Sequence, residues 1–170
     1  MSLWQTMGQL CPPTPIFNEK NCPDQTGKGG YSGVGLELVK ILYQKNATIY
    51  VAGRSESKAK AAIDDILSRF QTLTGKPIFL FVDLNDLTTV KPAVEEFLSS
   101  ENRLDVLWNN AGVMFQPVGS TTMQGFEMQL GSNTVAPILL TKLLHPVLDR
   151  TAASAPPDLV RVCWDHSMRN

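Results

Sequence analysis

Gly29-Gly30-Tyr31-Ser32-Gly33-Val34-Gly35 is a glycine cluster that runs straight into a helical pattern. Val34, Leu38, Ile41 and Leu42 recur at helical spacing, which predicts a helix from Gly33 to about Lys45. Glycines at a helix start let backbone N–H groups approach an anion, and the positive end of the helix dipole faces the same point. The turn therefore reads as a phosphate cradle made of Gly29, Ser32, Gly33, Val34 and Gly35, with the Ser32 hydroxyl as an extra donor. By composition alone it also fits a plain glycine-rich turn.

Beyond it, apolar runs and helical patterns alternate. Thr48-Ile49-Tyr50-Val51-Ala52 reads as a strand. Ser55 is placed to cap a helix with inner face Ala59, Ala62, Ile63, Ile66, Leu67 and Phe70, and Gly75 to end it. Ile78-Phe79-Leu80-Phe81-Val82 is apolar throughout, as expected of a strand buried on both faces. Val90, Val94, Phe97 and Leu98 mark a helix that tolerates Pro92 only in its first turn. Leu104–Trp108 reads as a strand, about Gly125 to Leu148 as one long helix adjusted near Pro137, and Leu159–Trp164 as a last strand. This alternation implies an α/β fold: a Rossmann-like, doubly wound parallel sheet with helices on both faces. Ligands of such sheets bind beyond the carboxyl ends of the strands.

The strand ends carry the chemistry. Where a carboxylate would take the ribose 2′-OH of NAD, the first strand ends in Arg54, with Lys58 one helical turn on. Two cations and no acid suit a 2′-phosphate, hence NADP. Solvated side chains at a helix start would look the same. Asp83 is placed to accept from an adenine amino group, and Asn110 opens a loop beside the cofactor. Each would also serve as a turn or capping residue.

In order and spacing these segments resemble the short-chain dehydrogenase/reductase family, nearest its retinol-dehydrogenase-like branch, from about Pro13 to Trp164. Gly29, Gly33 and Gly35 match the family's G-x-x-x-G-x-G turn, Arg54 its NADP-selecting basic residue and Asp83 its adenine contact. Asn109-Asn110-Ala111-Gly112 matches its N-N-A-G loop. The resemblance implies that Asn133 is the helical asparagine of the catalytic tetrad and Lys142 a cofactor contact. It puts Ser167 in register with the serine that polarises a substrate carbonyl; a tail hydroxyl is the other reading. The implied activity is NADP-dependent hydride transfer between carbonyls and alcohols on a small organic or secondary-metabolite substrate. No Tyr is followed by Lys four residues later, so the family's proton-donating pair is absent from these 170 residues. An inactive or non-redox binding or interaction module, or a truncated gene product, stays open beside the enzyme.

A second departure precedes the glycine turn. Asn21-Cys22-Pro23-Asp24-Gln25-Thr26-Gly27-Lys28 has no apolar run where the family has its first, central strand. Losing it would leave a gap of about 9–10 Å between the strands ending at Arg54 and Asn109, so the sheet is expected to be incomplete. Pro15-Ile16-Phe17 is one candidate to fill it. Residues 1–28 read as an irregular arm and 29–170 as a partial dinucleotide-binding domain. A 43% hydrophobic content and a net charge of −1 describe a globular chain with no basic excess for nucleic acid or anionic lipid. No apolar run nears the roughly 20 residues of a membrane span, and Met1 to Lys28 lacks a secretory core, so a cytoplasmic location is expected. Cys11, Cys22 and Cys163 are scattered, which favours free thiols; no metal-ligand spacing occurs. Asp165-His166-Ser167 cannot form a triad, because neighbours on an extended chain point apart. His145 reads as a surface or capping residue. The expected partners are a small-molecule substrate and a further copy or another chain that completes the sheet.

Overall fold

A computed structural model describes residues 34–70 and 73–164. The expected arm over 1–28 lies outside them. Helix α1 (Val34–Tyr43) leads into strand β1 (Thr48–Gly53), helix α2 (Glu56–Arg69) and strand β2 (Lys76–Phe81). A 3₁₀ turn (Leu87–Thr89) precedes α3 (Val90–Ser100) and β3 (Val106–Asn109). The short α4 (Met128–Leu130), a π turn (Gly131–Val135), α5 (Ala136–Ser154) and β4 (Arg161–Trp164) complete the order. The α/β class with parallel strands is as the sequence implies.

β1 pairs with β2, and β3 with β4, both in parallel. No ladder joins β1 to β3, so the described sheet comes in two halves. Each side of β1 meets its own core. Ile49 and Val51 are buried with Val39, Leu42 and Tyr43 of α1 and Ala59 and Ile66 of α2. Tyr50 and Ala52 pack on the opposite cluster, where Phe97 of α3, Leu107 of β3 and Leu144, Val147 and Leu148 of α5 meet. This second cluster spans both halves of the sheet and holds them together. Among the described residues a cleft of about 360 Å³ lies between β1 and β3.

Several expectations need correction. β2 is not buried on both faces: Ile78 and Phe81 are exposed. It is the outermost strand beside β1, so its side chains reach the rim of both helix layers. Leu67 is likewise exposed rather than on the inner face of α2. Ser55 occupies the N-cap position of α2 but its hydroxyl makes no capping bond. Gly75 does not end α2, which stops at Arg69. It lies under Tyr43 instead, where an added Cβ would stand 2.7 Å from the ring and 2.9 Å from the carbonyl oxygen. The long helix starts at Met128, not Gly125, and passes through a π turn where the Ala136 N–H reaches the Gly131 carbonyl. Pro137 follows directly and has no N–H to give, which suits a break in the regular ladder. Pro92 sits in the first turn of α3 as expected.

Two predictions follow from this packing. Gly75→Ala should cost about 1–3 kcal/mol through overpacking against Tyr43. A thermal melt checks it, and an unchanged Tm would show that the ring moves aside freely. The Tyr50 phenol donates to Glu101 Oε1 at 3.1 Å. Burial, then the Glu101 carboxylate, pushes its pKa up from 10.0 to about 12. The folded state thus keeps this proton when the unfolded chain has released it. That contribution is complete below about pH 10 and is lost as pH climbs towards about 12. Denaturant titrations over this range should show the native chain weakening more steeply than Tyr50→Phe; parallel curves would contradict the assignment.

Candidate functional site

The carboxyl ends of β1, β2 and β3 converge on the mouth of the cleft. Arg54 directly follows β1, and Lys58 lies in the first turn of α2. Both are exposed and both border the cleft. Neither has a carboxylate partner among the described residues, although five Lys or Arg side chains elsewhere do. They are two cations held near one mouth with their charge uncommitted.

Asp83 follows β2 on the far side of the mouth and is half-buried. Its Oδ1 accepts the Asn85 N–H at 2.9 Å. Its backbone is held at both ends by Thr89, whose hydroxyl accepts from the Asp83 N–H and lies 3.0 Å from the Asp83 carbonyl oxygen. A short polar side chain that bonds two residues on is a turn-forming device, so Asp83 shapes the loop as well as bordering the cleft.

Two glycines permit the close approaches around β3. The Asn110 amide lies against Gly35, where an added Cβ would stand 3.4 Å from its Nδ2. This contact places the start of α1 at the same mouth. At Gly112 an added Cβ would come within 3.1 Å of Asn133 Oδ1. Asn133 projects from the π turn and clamps the loop after β3. Its Oδ1 accepts the Val113 N–H at 2.8 Å, and its Nδ2 donates to the Val113 carbonyl at 2.9 Å. Both ends of one amide are thus spent on one backbone residue. Further ties run from Asn109 Nδ2 to Thr141 Oγ1 at 3.0 Å, and from the Ser132 hydroxyl to Asn85 Oδ1.

Arg54, Lys58, Asp83, Asn110 and Asn133 are thereby brought to one region, together with Gly35 of the cradle. Val34 contributes the first residue of α1. Gly29, Ser32, Gly33 and Ser167 lie outside the described residues. Lys142 is not brought in: it is exposed and borders a separate shallow groove with Ile138, Thr141, His145, Pro146 and Trp164. His145 pairs with Asp149 at 3.1 Å on the open face of α5, a surface role as expected. Tyr50 lines the cleft, but its proton is committed to Glu101. Cys163 is a free, half-buried thiol whose pKa burial pushes up.

Sequence reasoning missed Asn85, Ser132, Thr141 and Val113. Ser132 adjoins Asn133 in a segment already singled out, but its partner stands 47 residues away and nothing local announces it.

The clamp is testable. Asn133→Ala leaves the Val113 N–H and carbonyl unpaired and should cost about 1–3 kcal/mol. Hydrogen exchange should report faster loss at the Val113 amide than at Val51. Equal protection of Val113 in both proteins would remove Asn133 from this role.

Comparison with known proteins agrees with this geometry. The family model described as short chain dehydrogenase matches residues 28–155. A short-chain dehydrogenase/reductase of Emericella nidulans, pkfC, is 50% identical over 155 residues, covering 88% of this chain and 50% of its own length. One from Phomopsis amygdali is 48% identical over 172 residues, covering 98% of this chain and 52% of its own length. Among solved structures, the Pseudomonas aeruginosa RhlG/NADP active-site complex superposes with a TM-score of 0.62 at 23% identity, over 82% of this chain and 54% of that one. The chain spans about half the length of the curated relatives it matches. With its match over residues 28–155, this chain belongs to the short-chain dehydrogenase family.

Proposed function

We propose that these residues form the nucleotide-binding part of an NADP-dependent short-chain dehydrogenase/reductase. The observation that carries the reading is the pair Arg54 and Lys58 at the mouth of the cleft, with no carboxylate partner among the described residues. A 2′-phosphate is the group that would complete them, and a ribose 2′-OH would not. Gly35 brings the start of α1 against the Asn110 amide at the mouth, and a helix N-terminus is where a pyrophosphate would seat. Asp83 stands across the mouth, where it suits an adenine amino group. The donor set fits such a cofactor, and RhlG, a relative in fold, is described with NADP.

When bound, the nicotinamide would supply hydride for interconverting a carbonyl and an alcohol on a small organic or secondary-metabolite substrate. In this reading Asn133 orders the loop beside the reacting end. Ser167 is proposed to polarise the carbonyl, and Lys142 is retained only as a peripheral contact. The Tyr-x-x-x-Lys pair does not occur in these 170 residues, so binding without fast turnover is expected of them: a missing general acid forfeits about 10²–10⁴-fold. We assign this activity to the cytoplasm; among the described residues no helix is long and apolar enough to cross a membrane.

The test is a pair of equilibrium titrations. NADPH should bind more tightly than NADH, and Arg54→Ala should lose roughly tenfold for NADPH with little change for NADH. Raising salt should narrow the preference. NADH binding as tightly as NADPH to the native chain would sink the NADP assignment.

A further inference from the structure

The segment that carries Asn133 is too irregular for helix geometry alone to aim that side chain. α4 has three residues, with the Glu127 carboxylate accepting at its start, and the π turn Gly131–Val135 follows with no side-chain cap of its own. A single π turn interrupts the regular ladder, so packing around it decides where its side chains point. Two contacts seat this one. A Cβ on Gly131 would overlap the Thr122 side chain, so the turn lies directly on residues 122–126. The Ser132 hydroxyl donates to Asn85 Oδ1, in the loop that follows β2.

Burial singles this bond out. The same two segments are also tied by the Met123 N–H, which donates to the Asn85 carbonyl at 2.9 Å, and by the Gln124 amide. That amide accepts from the Leu87 N–H at 3.0 Å and donates to Asp86 Oδ1 at 2.9 Å. The Gln124 bonds are exposed, and water competes for both partners. Ser132 is 1% exposed and Asn85 is half-buried. An acceptor shielded in this way that loses its donor bears the cost of its own desolvation. The other buried polar residues described, Asp105, Thr122 and Thr151, bond elsewhere.

Asn85 also donates its N–H to Asp83 Oδ1 at 2.9 Å. Ser132 adjoins Asn133, which holds both peptide groups of Val113. One connected run therefore joins the end of β2 to the loop after β3: Asp83 to Asn85, Asn85 to Ser132, and from the adjoining Asn133 to Val113. We propose that Ser132 is a positioning residue, whose hydroxyl on Asn85 holds the Asp83 loop and the Asn133 clamp in one fixed arrangement. It acts through Asn85 and Asn133. Its importance for function rests on the reading of Asp83 and Asn133 as parts of a cofactor site.

The test is amide hydrogen exchange of the full chain without nucleotide, read at Val113, Asn85 and Val82. The Val82 N–H donates to the Gly53 carbonyl beside the β1–β2 pair and serves as the control. Ser132→Ala should speed exchange at Val113 and Asn85 about tenfold and leave Val82 as it is. Asn85→Ala should speed Val113 by a similar factor. Adding Ser132→Ala to it should change Val113 no further, since both substitutions remove the same bond. Asn85→Asp keeps the acceptor and should hold Val113 near its native rate. Three results would overturn the proposal. Val113 keeps its native rate in Ser132→Ala; all three amides speed up by one common factor, which is a general loss of stability; or the two single effects add in the double variant. The cofactor reading fails on a different measurement, the nucleotide titrations, on which none of these exchange rates depends.

Discussion

β1 is a strand with two buried sides, and that constraint organises the molecule. Ile49 and Val51 have to be covered by α1 and α2, while Tyr50 and Ala52 have to be covered by α3, α5 and β3. Alternation along a single strand therefore commits the helices to opposite faces of the sheet. It also sends every connection that follows a strand to the same end, where Arg54, Asp83 and Asn110 meet. The second cluster has a further task. Among the described residues no ladder joins β1 and β3, and side-chain packing through Leu80, Phe97, Leu107 and Leu144 links the two halves of the sheet.

Around the mouth, loops rather than strands set the geometry, and asparagine amides fix the loops. Asn133 pairs with the backbone of Val113 as a neighbouring strand would, and Asn109 and Asn85 anchor Thr141 and Ser132. Glycine at positions 35 and 112 makes room for the Asn110 and Asn133 amides. A site assembled this way separates its tasks. Amides and glycines hold the shape, and Arg54 and Lys58 stand exposed at the mouth with no carboxylate partner among the described residues. The π turn that carries Asn133 illustrates the same division, since a local break in the helical ladder aims one side chain without disturbing α5.

Binding and proton chemistry occupy different parts of this family's sequence pattern. The described residues bring Arg54, Lys58 and Asp83 to one mouth, and the family's Tyr-x-x-x-Lys pair is not among the 170 residues. The chain belongs to the short-chain dehydrogenase family, and among the described residues its sheet comes as two parallel pairs, β1 with β2 and β3 with β4.

Much was legible from sequence because it depends on near neighbours. Helical spacing of Leu38, Ile41 and Leu42 announced α1, and the apolar run at Thr48–Ala52 announced β1. Arg54 and Lys58 were expected at the end of β1, where both border the cleft. The lack of an apolar run before Gly29 predicts a gap in the sheet, and among the described residues no ladder joins β1 to β3. What failed depended on distant partners. Apolar content alone could not show that β2 is an outer strand with Phe81 exposed, nor that Gly75 lies under Tyr43 rather than at a helix end. Lys142 shares a helix with the site's neighbours, but the rotation of α5 turns it to a separate groove. The sequence by itself determined the elements, their order and the charge at the strand ends, because periodicity and composition act over a few residues. Only the tertiary structure decided which faces are covered and which asparagine clamps which loop. Those outcomes depend on contacts between residues far apart in the chain.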